Sequence, residues 1–182
     1  MIIPMNKYLN IDYVRDNNVR LYYFGLGFIQ VVFNQYNRVH YYNPELGVIT
    51  DSIHNHRYNF ESTILKGELL EQTFRLVEGN THILENESCG RDIKLPYKPT
   101  IETGVVETTN NRYIEGSVYH RPYNEFHRVE AIGRTITHLK RSDIILDYAQ
   151  VLISKREGKV CPFSKKYEED YLYQIIEDTI NK

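Results

Sequence analysis

The chain has 182 residues, enough for one domain with a continuous core, and its 41% hydrophobic and 25% charged residues are the balance of an ordinary soluble globular protein. A net charge of -2 argues against a broad phosphate-binding surface, so nucleic acid is not the expected partner. No apolar run approaches the roughly 20 residues that cross a bilayer, which removes a membrane span from the expectation.

Tyr8, Ile11 and Val14 repeat at helical spacing and predict a short helix over residues 6–18, stopped by Asn17 and Asn18. Residues 21–33 are aromatic and β-branched and predict a strand, with Gly25 and Gly27 as a bulge or close approach. A second run over 39–42 precedes the turn Asn43-Pro44-Glu45. Strands are then predicted over 49–53, 58–66 and 68–77, with Gly67 between the last two. Gly79-Asn80 reads as a hairpin turn before 81–84, and residues 86–99, with Gly90, Pro96 and Pro99, read as a surface loop. Runs 101–108 and 112–118 flank a second hairpin signal, Asn110-Asn111, and runs 126–132 and 135–139 pair around Gly133. A C-terminal helix is predicted over about 164–181, capped by Ser164, with Tyr167, Tyr171, Ile175 and Ile176 as its apolar stripe. Many short strands between terminal helices predict a mainly β sandwich or barrel in one domain spanning 1–182, its barrel core over 20–153.

Cys89 and Cys161 make no disulfide framework and read as free thiols of a reducing cytosol. The opening MIIPMNKYLN has no basic segment followed by a long apolar stretch, so no secretory signal is read there and a cytoplasmic protein is expected.

His54-Asn55-His56 carries the sharpest chemistry. Side chains i and i+2 of a strand share a face, so these two imidazoles can chelate one metal, although such a pair also arises as two surface histidines. Glu61 follows, and Gly116, Pro122, Asn124 and His127 mark a second segment. In these two stretches, residues 47–67 and 116–131, the chain resembles the cupin superfamily. That superfamily pairs a His-x-His strand, a Glu and a Gly with a later Gly, Pro, Gly and His. Asn124 stands where the second Gly is usual, and Asn is the non-Gly residue that best tolerates a left-handed turn. Gly67 comes one position early, Gly47 one residue too far from His54, and Ala131 replaces the usual closing Asn.

The resemblance implies a double-stranded β-helix, or jelly-roll, barrel with short terminal helices. It also implies one divalent metal on His54, His56, His127 and Glu61, with coordination positions left open for substrate. Glu61 lies five residues after His56, so strict alternation turns it to the opposite face unless a bulge at residues 57–59 re-aims it. Imidazole ligands suit Fe, Ni, Cu or Zn.

Ser52-Ile-His-Asn-His56, the strand 64–71, His127-Arg-Val-Glu130 and His138 look most like the thiol (cysteine) dioxygenases. That resemblance implies Fe(II), with Zn, Ni or Mn as other occupants, and dioxygen chemistry on a small molecule. Glu61 stands where animal members have a cross-linked cysteine, Lys140 stands near its tyrosine partner, and only Arg38 and Arg57 offer themselves to a substrate carboxylate. Candidate catalytic residues are Tyr119, as an acid or hydrogen-bond donor, His138, orienting a metal-bound species, and Arg57, neutralising an anionic substrate. Each has a structural alternative, as packed tyrosine, backbone-bonded histidine or strand-edge arginine. His40 and His82 are expected at the surface. Two other functions fit the same residues: a non-oxidative isomerase or lyase with Glu61 or Tyr119 moving the proton, and a binding module without turnover. A homodimer is compatible with the fold.

Overall fold

A computed structural model describes residues 5–17, 19–47, 52–87, 101–156 and 167–182. Both cysteines, the expected Ser164 cap and most of the expected strand 49–53 lie outside them. The strands are β1 (Arg20–Phe24), β2 (Phe28–Val32), β3 (Asn37–Tyr42), β4 (Ile53–His54), β5 (Phe60–Glu87), β6 (Ile101–Ile114), β7 (Val118–Arg121), β8 (Phe126–Arg141) and β9 (Ala149–Ser154). The helices are α1 (Ile11–Asp16) and α2 (Glu169–Asn181), with 3-10 turns at Met5–Leu9 and Pro44–Leu46.

Alternation along the strands sorts the side chains to two faces. On β2 and β3, Ile29, Val31, Val39 and Tyr41 join Leu65 and Ile136 beneath α1 and α2, where Val14, Leu172, Ile175 and Ile176 complete an outer core. Phe28 and Tyr42 face the other way and meet Tyr58, Phe60, Ile64, Leu69, Tyr119, Val129 and Leu139 in an inner core. Every strand pair is antiparallel. The sheet runs β1-β2-β3-β8-β4-β9-β5-β6, with β7 and β8 also pairing β5. The circuit β8–β4–β9–β5–β8 therefore closes on itself, the mainly β, barrel-like arrangement that the pattern of short strands predicted.

Closure depends on β5, whose first half pairs β8 and whose far end pairs β9. The ladder is irregular around Lys66–Glu68, where Gly67 takes φ +79°. A Cβ there would stand 2.4 Å from the Arg134 carbonyl oxygen and 2.7 Å from Thr135 Oγ1, so only glycine lets the two strands approach so closely.

Several turns predicted from local signals are absent. Residues 21–33 are two strands, because Gly27 at φ +84° folds β1 onto β2 in a hairpin. Asn110 and Asn111 pair with Gln72 and Glu71 inside one continuous β6. Gly79-Asn80 is an irregularity within β5, since β6 remains its partner on both sides (Val77 with Gly104, His82 with Thr103). Gly133 is likewise a bulge within β8, and both halves of that strand pair with β5. At Asn110-Asn111 a long partner strand satisfies the backbone that an isolated turn signal would have reversed, and at Gly79-Asn80 and Gly133 the ladder resumes beyond the irregularity. The C-terminal helix starts at Glu169. It is held by Arg134 Nη2 on Asp178 at 2.7 Å and by Lys66 Nζ on the carbonyls of Thr179 and Ile180 at 3.1 and 2.7 Å.

Candidate metal centre

His54 ends β4 and pairs directly with His127 of β8, while His56 lies two residues further on, in the short segment before β5. One ligating nitrogen from each of the three lies within 4.8 Å of the others. The ring centroids are 4.9 Å apart for His54–His56 and His54–His127, and 5.1 Å for His56–His127. His127 is buried and the other two are half-buried.

The outer nitrogens set the tautomers. His54 Nδ1 lies 2.7 Å from the Ser52 carbonyl oxygen, which can only accept, so Nδ1 carries the proton and Nε2 is the candidate ligand atom. His127 Nδ1 donates to Glu71 Oε1 at 2.9 Å, which leaves Nε2 as the nitrogen facing His56. Glu71 is fully buried and takes Arg121 Nε at 2.8 Å on the same oxygen, with Arg121 Nη2 on the other. A buried carboxylate, itself held by a guanidinium, thus orients one imidazole, the arrangement that stiffens metal-ligating histidines.

His56 Nε2 faces His127 Nε2 at 2.9 Å. Two nitrogens each about 2.1 Å from one ion, at roughly a right angle, stand about 3 Å apart, so the spacing fits a shared metal as well as a shared proton. Burial first, then His54 and His127, hold the His56 pKa well below its ordinary value, which keeps the imidazole neutral and able to ligate. The donor set is three imidazoles, suited to a borderline divalent metal and leaving positions open for water or substrate.

Glu61 is not brought into this group. It lies between Phe60 and Ser62, whose side chains face the interior, and strand alternation turns it outward to within 3.7 Å of His120 Nδ1, 42% exposed. The bend at residues 57–58 does not reverse that direction. His138 is also turned to the outer face, stacked on Tyr8 at 4.9 Å and bonded to Asn37 Oδ1 at 3.0 Å. Tyr119 is on the inner face, stacked on Tyr113 at 4.5 Å and bonded to Ser62, with Phe60 packed against both it and His56. Its hydroxyl is pushed far up by burial and by Glu71, which suits it to donating a hydrogen bond and unsuits it to releasing a proton. Arg57 is buried beside the histidines' segment, its carbonyl receiving the amides of Ile145 and Leu146.

His40, expected at the surface, faces the interior. Its Nε2 lies 3.2 Å from Gln30 Oε1, and burial first, then Arg38, lowers its pKa to about 3. Glu71 and Arg121 join the candidate site through His127, and the motifs do not show them. The available signal was the alternation Leu69, Glu71, Thr73, which sets a carboxylate at an inward position of a strand where burial demands a partner. A shallow pocket lined by Leu26, Phe28, Tyr42, Val129 and Ala131 opens on the inner face, and none of the three histidines lines it.

No family model matches the chain, and no curated protein does. Solved structures with a similar course of strands include cupin-domain proteins. The Drosophila melanogaster CENP-C cupin domain is 9% identical over 69% of this chain and 76% of its own, with a TM-score of 0.43. Hydroquinone 1,2-dioxygenase from Sphingomonas sp. TTNP3 is 11% identical over 78% and 79%, with a TM-score of 0.37. The DMSP lyase DddQ from Ruegeria pomeroyi is 16% identical over 68% of this chain and 44% of its own, with a TM-score of 0.35. What those proteins bind or transform is theirs.

Proposed function

We propose that the protein is an Fe(II)-dependent oxygenase of the cupin type, acting on a small molecule. One observation carries this reading: three imidazoles converge, with one ligating nitrogen of each within 4.8 Å of the others, and the Nδ1 atoms of His54 and His127 are engaged by outer acceptors. His54, His56 and His127 would hold the metal, whose chemistry there is activation of dioxygen toward the bound substrate. Glu71 and the Ser52 carbonyl keep the imidazoles in the ligating tautomer. Phe60 and Tyr58 pack against His56 and exclude water from one side of the centre, which strengthens every charge interaction within it. Iron and dioxygen are favoured by the resemblance of residues 52–71 and 127–138 to thiol dioxygenases. Glu61 and Lys140, standing in place of that family's cross-linked pair, favour a substrate other than cysteine.

Protein purified anaerobically without chelator should hold about one iron per chain by elemental analysis, the loading one three-ligand site takes. Stoichiometric zinc, together with no oxygen uptake on thiols or other small organic acids, would refute an oxygenase and leave the Lewis-acid isomerase or lyase reading.

A further inference from the structure

Three guanidinium groups gather on the inner side beside the histidines, and each keeps a buried nitrogen that no acceptor among the described residues reaches: Arg38 Nε, Arg57 Nη1 and Arg141 Nε. Arg57 is only 8% exposed. Arg38 and Arg141 both lie over Tyr58, 5.4 and 5.2 Å from its ring centroid, and that ring stands 5.4 Å from the His56 ring. The remaining contacts are neutral: Arg38 Nη1 donates to Gln30 at 3.3 Å and Arg141 Nη1 to the Ser142 carbonyl at 3.0 Å. Among the described residues the arginines in ion pairs are others, Arg15, Arg112, Arg121 and Arg134. Asp143, two residues beyond Arg141, accepts the Tyr36 hydroxyl instead.

Buried guanidinium groups are ordinarily paired, and like charges packed together raise the energy of the fold. Here burial first, then Arg38, with Arg57 adding to it, lowers the Arg141 pKa, the mark of cations crowded without a counter-charge. Such strain persists where a ligand removes it. Arginine donors fork onto oxyanions, and a phosphate monoester brings two negative charges and three peripheral oxygens to cations that lack a counter-charge.

We propose that Arg38, Arg57 and Arg141 bind a phosphoryl group of the substrate and hold the rest of it toward His54, His56 and His127. The anion site stands on its own residues, and its role as a substrate anchor rests on the metal-centre reading above.

The test uses the full chain, stripped of metal by a chelator and dialysed free of phosphate and sulfate. It is titrated with inorganic phosphate, with malonate, and with sodium chloride at matched ionic strength, followed by calorimetry and thermal melting. Saturable phosphate binding is expected, with a Tm rise of about 5–10 °C at roughly a hundredfold excess over Kd and none with chloride. Arg38→Gln, Arg57→Gln and Arg141→Gln should each weaken binding about tenfold or more, whereas Arg112→Gln, removing an exposed arginine paired with Glu68, should leave it unchanged. No saturable phosphate binding by the wild-type chain overturns the proposal, as does an equal loss in Arg112→Gln. Saturable malonate binding tighter than phosphate overturns the phosphoryl assignment in favour of a dicarboxylate. The wild-type titration decides alone where a variant does not fold. Because the metal is absent throughout, failure of the anion site and failure of the metal centre are read separately.

Discussion

Glu71 shows how one buried side chain sets the chemistry of another. It accepts from His127 Nδ1 and from Arg121, so its charge is neutralised on one side while it fixes the imidazole tautomer on the other. Glu71→Gln keeps the shape and loses the charge. We expect it to cost about 10–100-fold in metal affinity, measured by competition with a chromogenic chelator, and an unchanged affinity would show that His127 is oriented by something else. His138 makes a prediction about pH. Burial first, then Lys7, lowers its pKa to about 4, while Glu61 opposes them. The unfolded chain takes up the proton near pH 6.5 and the folded chain only near pH 4, so this histidine lowers stability as pH falls across that window. Urea midpoints measured between pH 4 and 7 should therefore drop less steeply for His138→Gln than for the wild type.

Among the elements, β5 decides the architecture, and Gly67 is its narrowest point. Gly67→Ala adds a methyl group against backbone at a positive φ, where both the strain of the left-handed region and the overlap count. We expect about 2–4 kcal/mol of destabilisation by chemical denaturation, and a loss below 1 kcal/mol would mean that β8 yields at Arg134–Thr135 without cost. The same element explains why the expected hairpins at Gly79-Asn80 and Asn110-Asn111 are absent. Asn110 and Asn111 lie within the paired β5–β6 ladder and Gly79-Asn80 interrupts it between Val77 and His82, and a long ladder resuming on both sides outweighs a two-residue turn preference.

For the whole molecule, the closed circuit of β8, β4, β9 and β5 brings His54 and His127 opposite one another, and His56 follows from the next bend. A metal bound there ties two strands and the segment before β5, so it should stabilise the fold as any ligand of the native state does. Adding Fe(II) anaerobically, or Zn(II), at about a hundred times Kd should raise Tm by about 5–10 °C. A chelator should reverse the rise, and His127→Ala should lack it. A melting temperature indifferent to both metals in the wild type would count against the centre.

Much was legible without coordinates. Alternation and β-branched composition predicted a strand-rich molecule with a helix at each end, and two-residue spacing singled out His54 and His56, because side-chain direction along a strand repeats every two residues, while His127 came from the resemblance of residues 116–131 to the cupins. Spacing also gave reason to doubt Glu61, which alternation turns away from His56. The tertiary structure alone decided what depends on pairing between distant segments. Glu71 and His127 are 56 positions apart and meet only because β5 lies beside β8. Arg38, Arg57 and Arg141 come from β3, the bend before β5 and the end of β8, and nothing local in any of them indicates that Arg38 and Arg141 share the Tyr58 ring or that Arg57 lies near enough to act on the charge of Arg141. Turn residues state a preference of about 1 kcal/mol, whereas closing a barrel satisfies the backbone of whole strands, so where the two disagreed the long-range pairing prevailed.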